Sequence, residues 1–220
     1  MTVASPFTSS DLQREVEQEM KWDPEINQAG IGVTASGHEV TLSGTVHRYT
    51  DRLAAVRASK RVKGVHTIAD DIVVEPFGTP GVTDNDIAEY ADKAMRWNVE
   101  VPEGIRATVT DGNVTLDGAV EWNYQRAAAE RAVRHIAGVR YISDNITLKH
   151  VVSAKDVHER IASALRRSAD IDANNVHVTS DNGHVHLTGS ASSWAERERA
   201  QQTAWAAPGV TQVTNDLVIR

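Results

Sequence analysis

The stretches Val40-Thr-Leu-Ser-Gly44, Val114-Thr-Leu-Asp-Gly118 and Val185-His-Leu-Thr-Gly189 superimpose without gaps. Each is followed 20 residues later by a Gly-Val pair: Gly64-Val65, Gly138-Val139 and Gly209-Val210. Between these landmarks Arg52, Arg126 and Arg197 align, as do Ala55, Ala129 and Ala200. Beyond them come Ile68-Ala-Asp-Asp-Ile72, Ile142-Ser-Asp-Asn-Ile146 and Val213-Thr-Asn-Asp-Leu217. Upstream, Leu12/Val16/Met20, Ile87/Ala91/Met95 and Val157/Ile161/Leu165 share a four-residue step. The copies lie 70 to 75 residues apart. That period is long for a solenoid unit and suits self-contained tandem modules.

Each copy reads alike. A first helix is expected after Ser10 with Gln13, Thr83 with Asp86, and Ser153 with Asp156, where a side-chain oxygen can accept from an unpaired backbone N–H. The apolar triplets then supply one buried stripe. Two runs alternating at period 2 follow, as in Ile31/Val33 and Val40/Leu42, about Ser36-Gly37, Asp111-Gly112 or Asn182-Gly183. A second helix is predicted from about Thr50 to Lys63, Asn123 to Ala137 and Trp194 to Ala207. The glycine of each Gly-Val pair would close it in a left-handed cap. A last strand completes the order α-β-β-α-β.

That order, with the Leu-x-Gly and Gly-Val signatures, resembles the BON domain, the family named for bacterial osmotically inducible and nodulation proteins. The resemblance covers essentially the whole chain. It implies an α+β fold of three tandem modules, each with two helices packed on one face of a three-stranded mixed sheet. It also implies roles in envelope or osmotic stress, association with phospholipid surfaces, or potassium sensing. The expected layout is a disordered 1–8, module one at 9–75, a Pro/Gly linker at 76–82, module two at 83–149, a short linker at 150–152 and module three at 153–220. The short second linker predicts that copies two and three lie close together.

Charge narrows the function. The chain has 23 basic and 30 acidic residues, a net charge of −7, and no basic segment. A phosphate-neutralising nucleic-acid surface is therefore not expected, and charge alone draws it poorly to anionic membranes. Cysteine is absent, which removes thiol chemistry and disulfides. Neither a signal peptide nor an apolar run long enough to span a bilayer is read, so the expectation is a cytoplasmic protein. No Gly-x-Ser-x-Gly elbow, His-Glu-x-x-His helix or Gly-rich phosphate loop occurs. The expectation is a non-enzymatic binding or scaffold protein without a cofactor, which engages a protein partner or itself. A phospholipid-surface binder and a potassium-responsive cytoplasmic sensor are the alternatives.

Candidate residues come from comparing copies. Asp70, Asp144 and Asn215 fall on the apolar face of the last strand and so should be hydrogen-bonded. Arg52, Arg126 and Arg197 are possible partners, or else solvated helix charges. His177, His184 and His186 share one face of the third copy's hairpin and are weak candidates for a metal site, against a solvated polar face. Trp205 aligns with Lys60 and Arg134, Trp122 with Arg48 and Ser193, and Trp194 with Tyr49 and Asn123. Trp22 and Trp97 end the first helices where copy three has Arg167. Aromatics at positions that elsewhere accept charge mark Trp205, Trp122, Trp194, Tyr49, Trp22 and Trp97 as interface candidates. Packing between neighbouring copies is the other reading.

Overall fold

The computed structural model describes residues 8–26, 30–76, 82–149, 157–168, 171–172 and 174–220. Three copies of one unit appear in order. Copy one comprises α1 (Ser9–Trp22), β1 (Ile31–Ser36), β2 (Glu39–Val46), α2 (Tyr49–Arg61) and β3 (Thr67–Val74). Copy two comprises α3 (Asp84–Trp97), β4 (Arg106–Thr110), β5 (Asn113–Val120), α4 (Asn123–Val133) and β6 (Tyr141–Leu148). Copy three comprises α5 (Val157–Arg167), β7 (Val176–Asp181), β8 (His184–Ala191), α6 (Trp194–Trp205) and β9 (Gln212–Ile219). Each sheet holds only its own copy's strands, in the orders β1-β2-β3, β4-β5-β6 and β7-β8-β9. The first pair in each is antiparallel and the second parallel. The parallel pair requires a crossover, which the second helix provides. The chain divides into two compact units, Met1–Phe77 and Gly78–Arg220, and the second holds copies two and three.

Period-2 alternation on the central strand sets the core. Val40, Leu42 and Val46 turn inward, as do Val114, Leu116 and Val120, and Val185, Leu187 and Ala191. The first helix packs against the first strand and the second helix, and all nine triplet residues are buried. Small residues (Ala54, Ala55 and Ala58; Ala128 and Ala129; Ala200 and Ala204) let the second helix sit close. The glycine ending each Leu-x-Gly run has a steric reason. A Cβ on Gly44 would lie 2.1 Å from the Gly30 carbonyl oxygen, and one on Gly189 2.1 Å from that of Asn175. Residue 44 pairs with Ile31 at the start of β1, so the incoming chain passes where a side chain would be.

Several expectations need correction. The first helix starts from Thr8, not Ser10: the Thr8 side chain accepts from the Asp11 N–H, and Asp11 returns a bond to the Thr8 N–H. Residue 8 therefore belongs to module one, while 1–7 lie outside the described residues. Thr83 with Asp86 forms the expected cap of α3. The Ser153–Asp156 cap and the 150–152 linker lie outside the described residues, as does most of the 76–82 linker. The second helices stop at Arg61, Val133 and Trp205, earlier than the pattern suggests. Their glycines have positive φ (94°, 92° and 85°) but do not cap them directly. Each occupies the third position of a following turn, closed by Val65 N–H to Val62 O, Val139 N–H to Ile136 O and Val210 N–H to Ala207 O. A left-handed third residue is the type II turn's requirement, and Pro208 takes that turn's favoured second place. Apolar periodicity ran on through the turn because Val65, Val139 and Val210 are themselves buried.

Alanine at these glycines tests the reading. Gly64→Ala should destabilise by about 1 kcal/mol through φ strain, since an added Cβ meets only Leu12 Cδ1 at 3.6 Å. Gly138→Ala should cost distinctly more, because its Cβ would also fall 2.8 Å from Ile87 Cδ1. Urea unfolding of the two variants should give that order. Equal costs would show that the contact with Ile87 is irrelevant.

Candidate functional site

The parallel edge strands β3, β6 and β9 have one neighbour each, so alternate N–H groups point away from the sheet. The Asx residue two positions earlier collects one of them. Ile72 N–H donates to Asp70 Oδ1 (3.3 Å), Ile146 N–H to Asp144 Oδ1 (3.0 Å) and Leu217 N–H to Asn215 Oδ1 (3.2 Å). The second oxygen faces the second helix. Arg52 Nε donates to Asp70 Oδ2 at 2.9 Å, and Arg126 Nε lies 3.4 Å from Asp144 Oδ2. The aligned arginines are thus not solvated charges; they tie helix to strand. Copy three differs because Asn215 has no second acceptor to offer. Its amide donates to the Arg197 carbonyl and Gln201 Oε1, and Arg197 Nη2 turns to the Asn215 carbonyl. Arg197 Nε is left buried without a partner.

A second device recurs at the start of the second helix. Glu196 is buried and takes N–H groups of Asp172 and Ser192 on its two oxygens, at 2.7 Å each. Gln125 accepts the N–H groups of Glu121 and Trp122 on its single Oε1, and Asp51 pairs with Arg48 at 2.8 Å. Burial works to raise the Glu196 carboxyl, yet the bonds from Ser192 and Asp172 together hold it below an ordinary glutamate's 4.5. Glu196 lines an open groove with Asp172, Ser190 and Arg220. Its oxygens are already engaged in holding loops, which is a structural duty.

The histidines do not form a metal set. His177 is exposed, His184 Nε2 hydrogen-bonds Thr214 Oγ1 at 2.8 Å, and His186 Nε2 donates to Asp216 Oδ2 at 2.6 Å. Among the described residues no three His, Cys, Asp or Glu side chains could hold an ion together. An imidazole pair lies instead in copy one, where His38 and His66 stack with ring centroids 4.1 Å apart. His38 Nδ1 donates to the Gly64 carbonyl at 2.9 Å. Burial and the neighbouring His38 hold the His66 imidazole below its ordinary value.

The aromatic candidates separate into three groups. Tyr49 is only 8% exposed, so it is a core side chain and presents no surface. Trp194 and Trp205 are half-buried against their own copy's core. The Arg197 guanidinium lies over Trp194 at 5.0 Å, and Arg126 of copy two lies over Trp205 of copy three at 4.8 Å. Trp122 is 38% exposed, while Trp22 and Trp97 are 88% and 85% exposed at the ends of α1 and α3.

With this thrice-repeated unit in view, comparison with known proteins gives a direct match. The model of the BON domain matches residues 8–76, 83–150 and 153–220. The chain belongs to the BON-domain family. The osmotically-inducible protein Y of Escherichia coli (strain K12) is 25% identical over 179 residues, covering 76% of this chain and 82% of that protein. A solved structure of the C-terminal domain of CdsD, a structural protein of the type III secretion system of Chlamydia trachomatis, is 18% identical. It covers 96% of this chain and 98% of its own, at a TM-score of 0.27. Among the described residues no helix is long and apolar enough to cross a membrane.

The BON copies also display aromatics that the alignment of copies did not single out. Tyr90, Tyr124 and Tyr141 are exposed, all in the second BON module. The same comparison could have found Tyr90, which aligns with Glu15 and Arg160.

Two substitutions follow from these geometries. Asn215→Asp restores the carboxylate that the sister modules use and should stabilise the protein by about 1 kcal/mol in urea unfolding. Asp70→Asn should cost a similar amount; a neutral result for both would mean that the arginine tie adds no net stability. Glu196 supplies the pH test. Its carboxyl is depressed in the folded state, so its stabilisation is complete above about 4.5 and fades as pH falls through the lower folded value. Glu196→Gln should flatten the stability-against-pH curve in that acid range, and an unaltered slope would assign the dependence elsewhere.

Proposed function

We propose that this BON protein is a non-enzymatic, stress-associated binding protein that engages a protein partner or a second copy of itself, with the second module as the docking unit. The observation that carries this reading is the concentration of exposed aromatics there: Tyr90, Trp97, Trp122, Tyr124 and Tyr141. Single exposed apolar residues are ordinary. Five large aromatics on one module of about 70 residues are not, and such rings anchor interfaces because they bury much area for little lost rotamer freedom. The stress association is drawn from the family and from the similarity to osmotically-inducible protein Y. The absence of an enzymatic role is supported by carboxylates spent on structure: Asp70, Asp144 and Glu196 all hold backbone N–H groups or arginines.

Phospholipid-surface binding is the second reading. Trp22 and Trp97, nearly fully exposed at matching helix ends in two modules, favour it, since indole suits a polar–apolar boundary. The charge near them in the chain is mixed and does not favour anionic headgroups: Lys21 and Asp23 flank Trp22, and Arg96 precedes Trp97 with Glu100 three residues on.

Substitution by sister-module residues tests both readings without disturbing the fold. Tyr90→Glu takes the residue of module one (Glu15) and Trp97→Arg that of module three (Arg167). Sedimentation velocity over a range of concentrations should show self-association lost in the double variant. Co-sedimentation with phosphatidylglycerol-containing vesicles should be weak for the parent chain. Strong vesicle binding that the double variant abolishes would replace the first reading by the second.

A further inference from the structure

We infer that Arg126 is a latch that fixes the third module against the second, with Trp205 as its seat. The inference does not depend on what the protein binds. Arg126 projects from α4 of module two, and its guanidinium lies 4.8 Å from the ring centre of Trp205, the last residue of α6 in module three. Its other contact is Asp144 on β6 of its own module, at 3.4 Å. One side chain therefore touches a strand of one module and a helix of the next.

Three observations converge on this role. The first is the residue chosen. Modules one and two carry Lys60 and Arg134 where module three carries Trp205, and all three side chains are half-buried. The position thus tolerates a long chain lying along the helix, and the tryptophan adds a flat aromatic surface that a cation can cover. The second is the arginine's geometry. Arg52 pairs with Asp70 at 2.9 Å, whereas Arg126 stands 3.4 Å from Asp144, so the arginine with an aromatic neighbour in the next module makes the longer ion pair. Arg197 also uses an indole, but that of Trp194 within its own module. The third is the division of the chain: modules two and three form one compact unit, Gly78–Arg220. Because guanidinium is planar and weakly hydrated, it can stack on a ring while keeping an in-plane N–H for a carboxylate. A lysine ammonium has no planar face to stack in this way.

A latch of this kind sets the orientation of two sheets. The open faces of modules two and three would then be presented at fixed spacing, and a partner with two sites would meet them preorganised.

The chain has no cysteine, so spin labels can be placed by Thr108→Cys with Thr179→Cys, exposed and equivalent positions on β4 and β7. Double electron–electron resonance on the full chain should give one narrow distance distribution. Trp205→Lys, which installs the residue of module one, and Arg126→Ala, which leaves the core of module three untouched, should each broaden it at least twofold. Trp205→Phe should keep it narrow, because a ring remains beneath the guanidinium. Circular dichroism checks folding, and if Trp205→Lys unfolds module three, Arg126→Ala alone decides. A distribution already broad in the parent, or equally narrow with Arg126→Ala, would overturn the latch.

Discussion

Each module is built around a central strand that has no room for a side chain at one place. At Gly44 and Gly189 the carbonyl of the chain entering the first strand lies 2.1 Å from where Cβ would be, and at Gly118 the corresponding carbonyl of Gly104 lies at 3.0 Å. The close crossing sets the register of the hairpin, because the first strand begins where the glycine yields. Register then decides which alternate residues face inward, and a one-residue slip would expose Leu42, Leu116 or Leu187. The helices can only pack on the face so chosen. The ungapped 20-residue spacing to the Gly-Val turn follows from the same geometry: one helix must leave the end of the central strand, cross the sheet, and turn back at a left-handed residue.

Polar groups finish what apolar packing begins. The parallel pairing leaves the last strand as an edge whose alternate N–H groups point away from the sheet. Asp70, Asp144 and Asn215 blunt that edge from within the strand, and the first two bind an arginine of the crossover helix as well. This arrangement makes an apolar row tolerate a carboxylate: its charge is spread over a backbone donor and a guanidinium. Module three shows the cost of changing one atom, since an amide in place of a carboxylate leaves Arg197 Nε with no acceptor.

With the interior common to all three copies, individuality lies on the surface. Module one stacks two imidazoles, module two exposes five aromatics, and module three carries histidines engaged with its own last strand. A repeated fold with unlike surfaces divides labour among modules, and comparison of copies at one position separates what the fold needs from what a surface adds. Lys60, Arg134 and Trp205 show this: the backbone asks only for a side chain that can lie along the helix, and the indole answers to something beyond it.

The sequence by itself determined the number of copies, the order of elements, the inward leucines of the central strands and the family, because apolar periodicity and steric glycines are local requirements written at fixed spacing. It also marked Trp22 and Trp97 as surface aromatics, since charge stands at that helix position in module three. It could not separate Tyr49 from them, because alignment with Trp194 and Asn123 does not reveal that the Tyr49 ring turns inward. Nor could it choose Thr8 over Ser10 as a cap, as both offer a hydroxyl with a polar residue three positions on. Only the tertiary structure decided that Arg52 and Arg126 meet Asp70 and Asp144, and that Arg126 also meets Trp205. Those contacts join residues far apart in the chain, and their partners are set by how helix, strand and neighbouring module pack, a distance that no local pattern encodes.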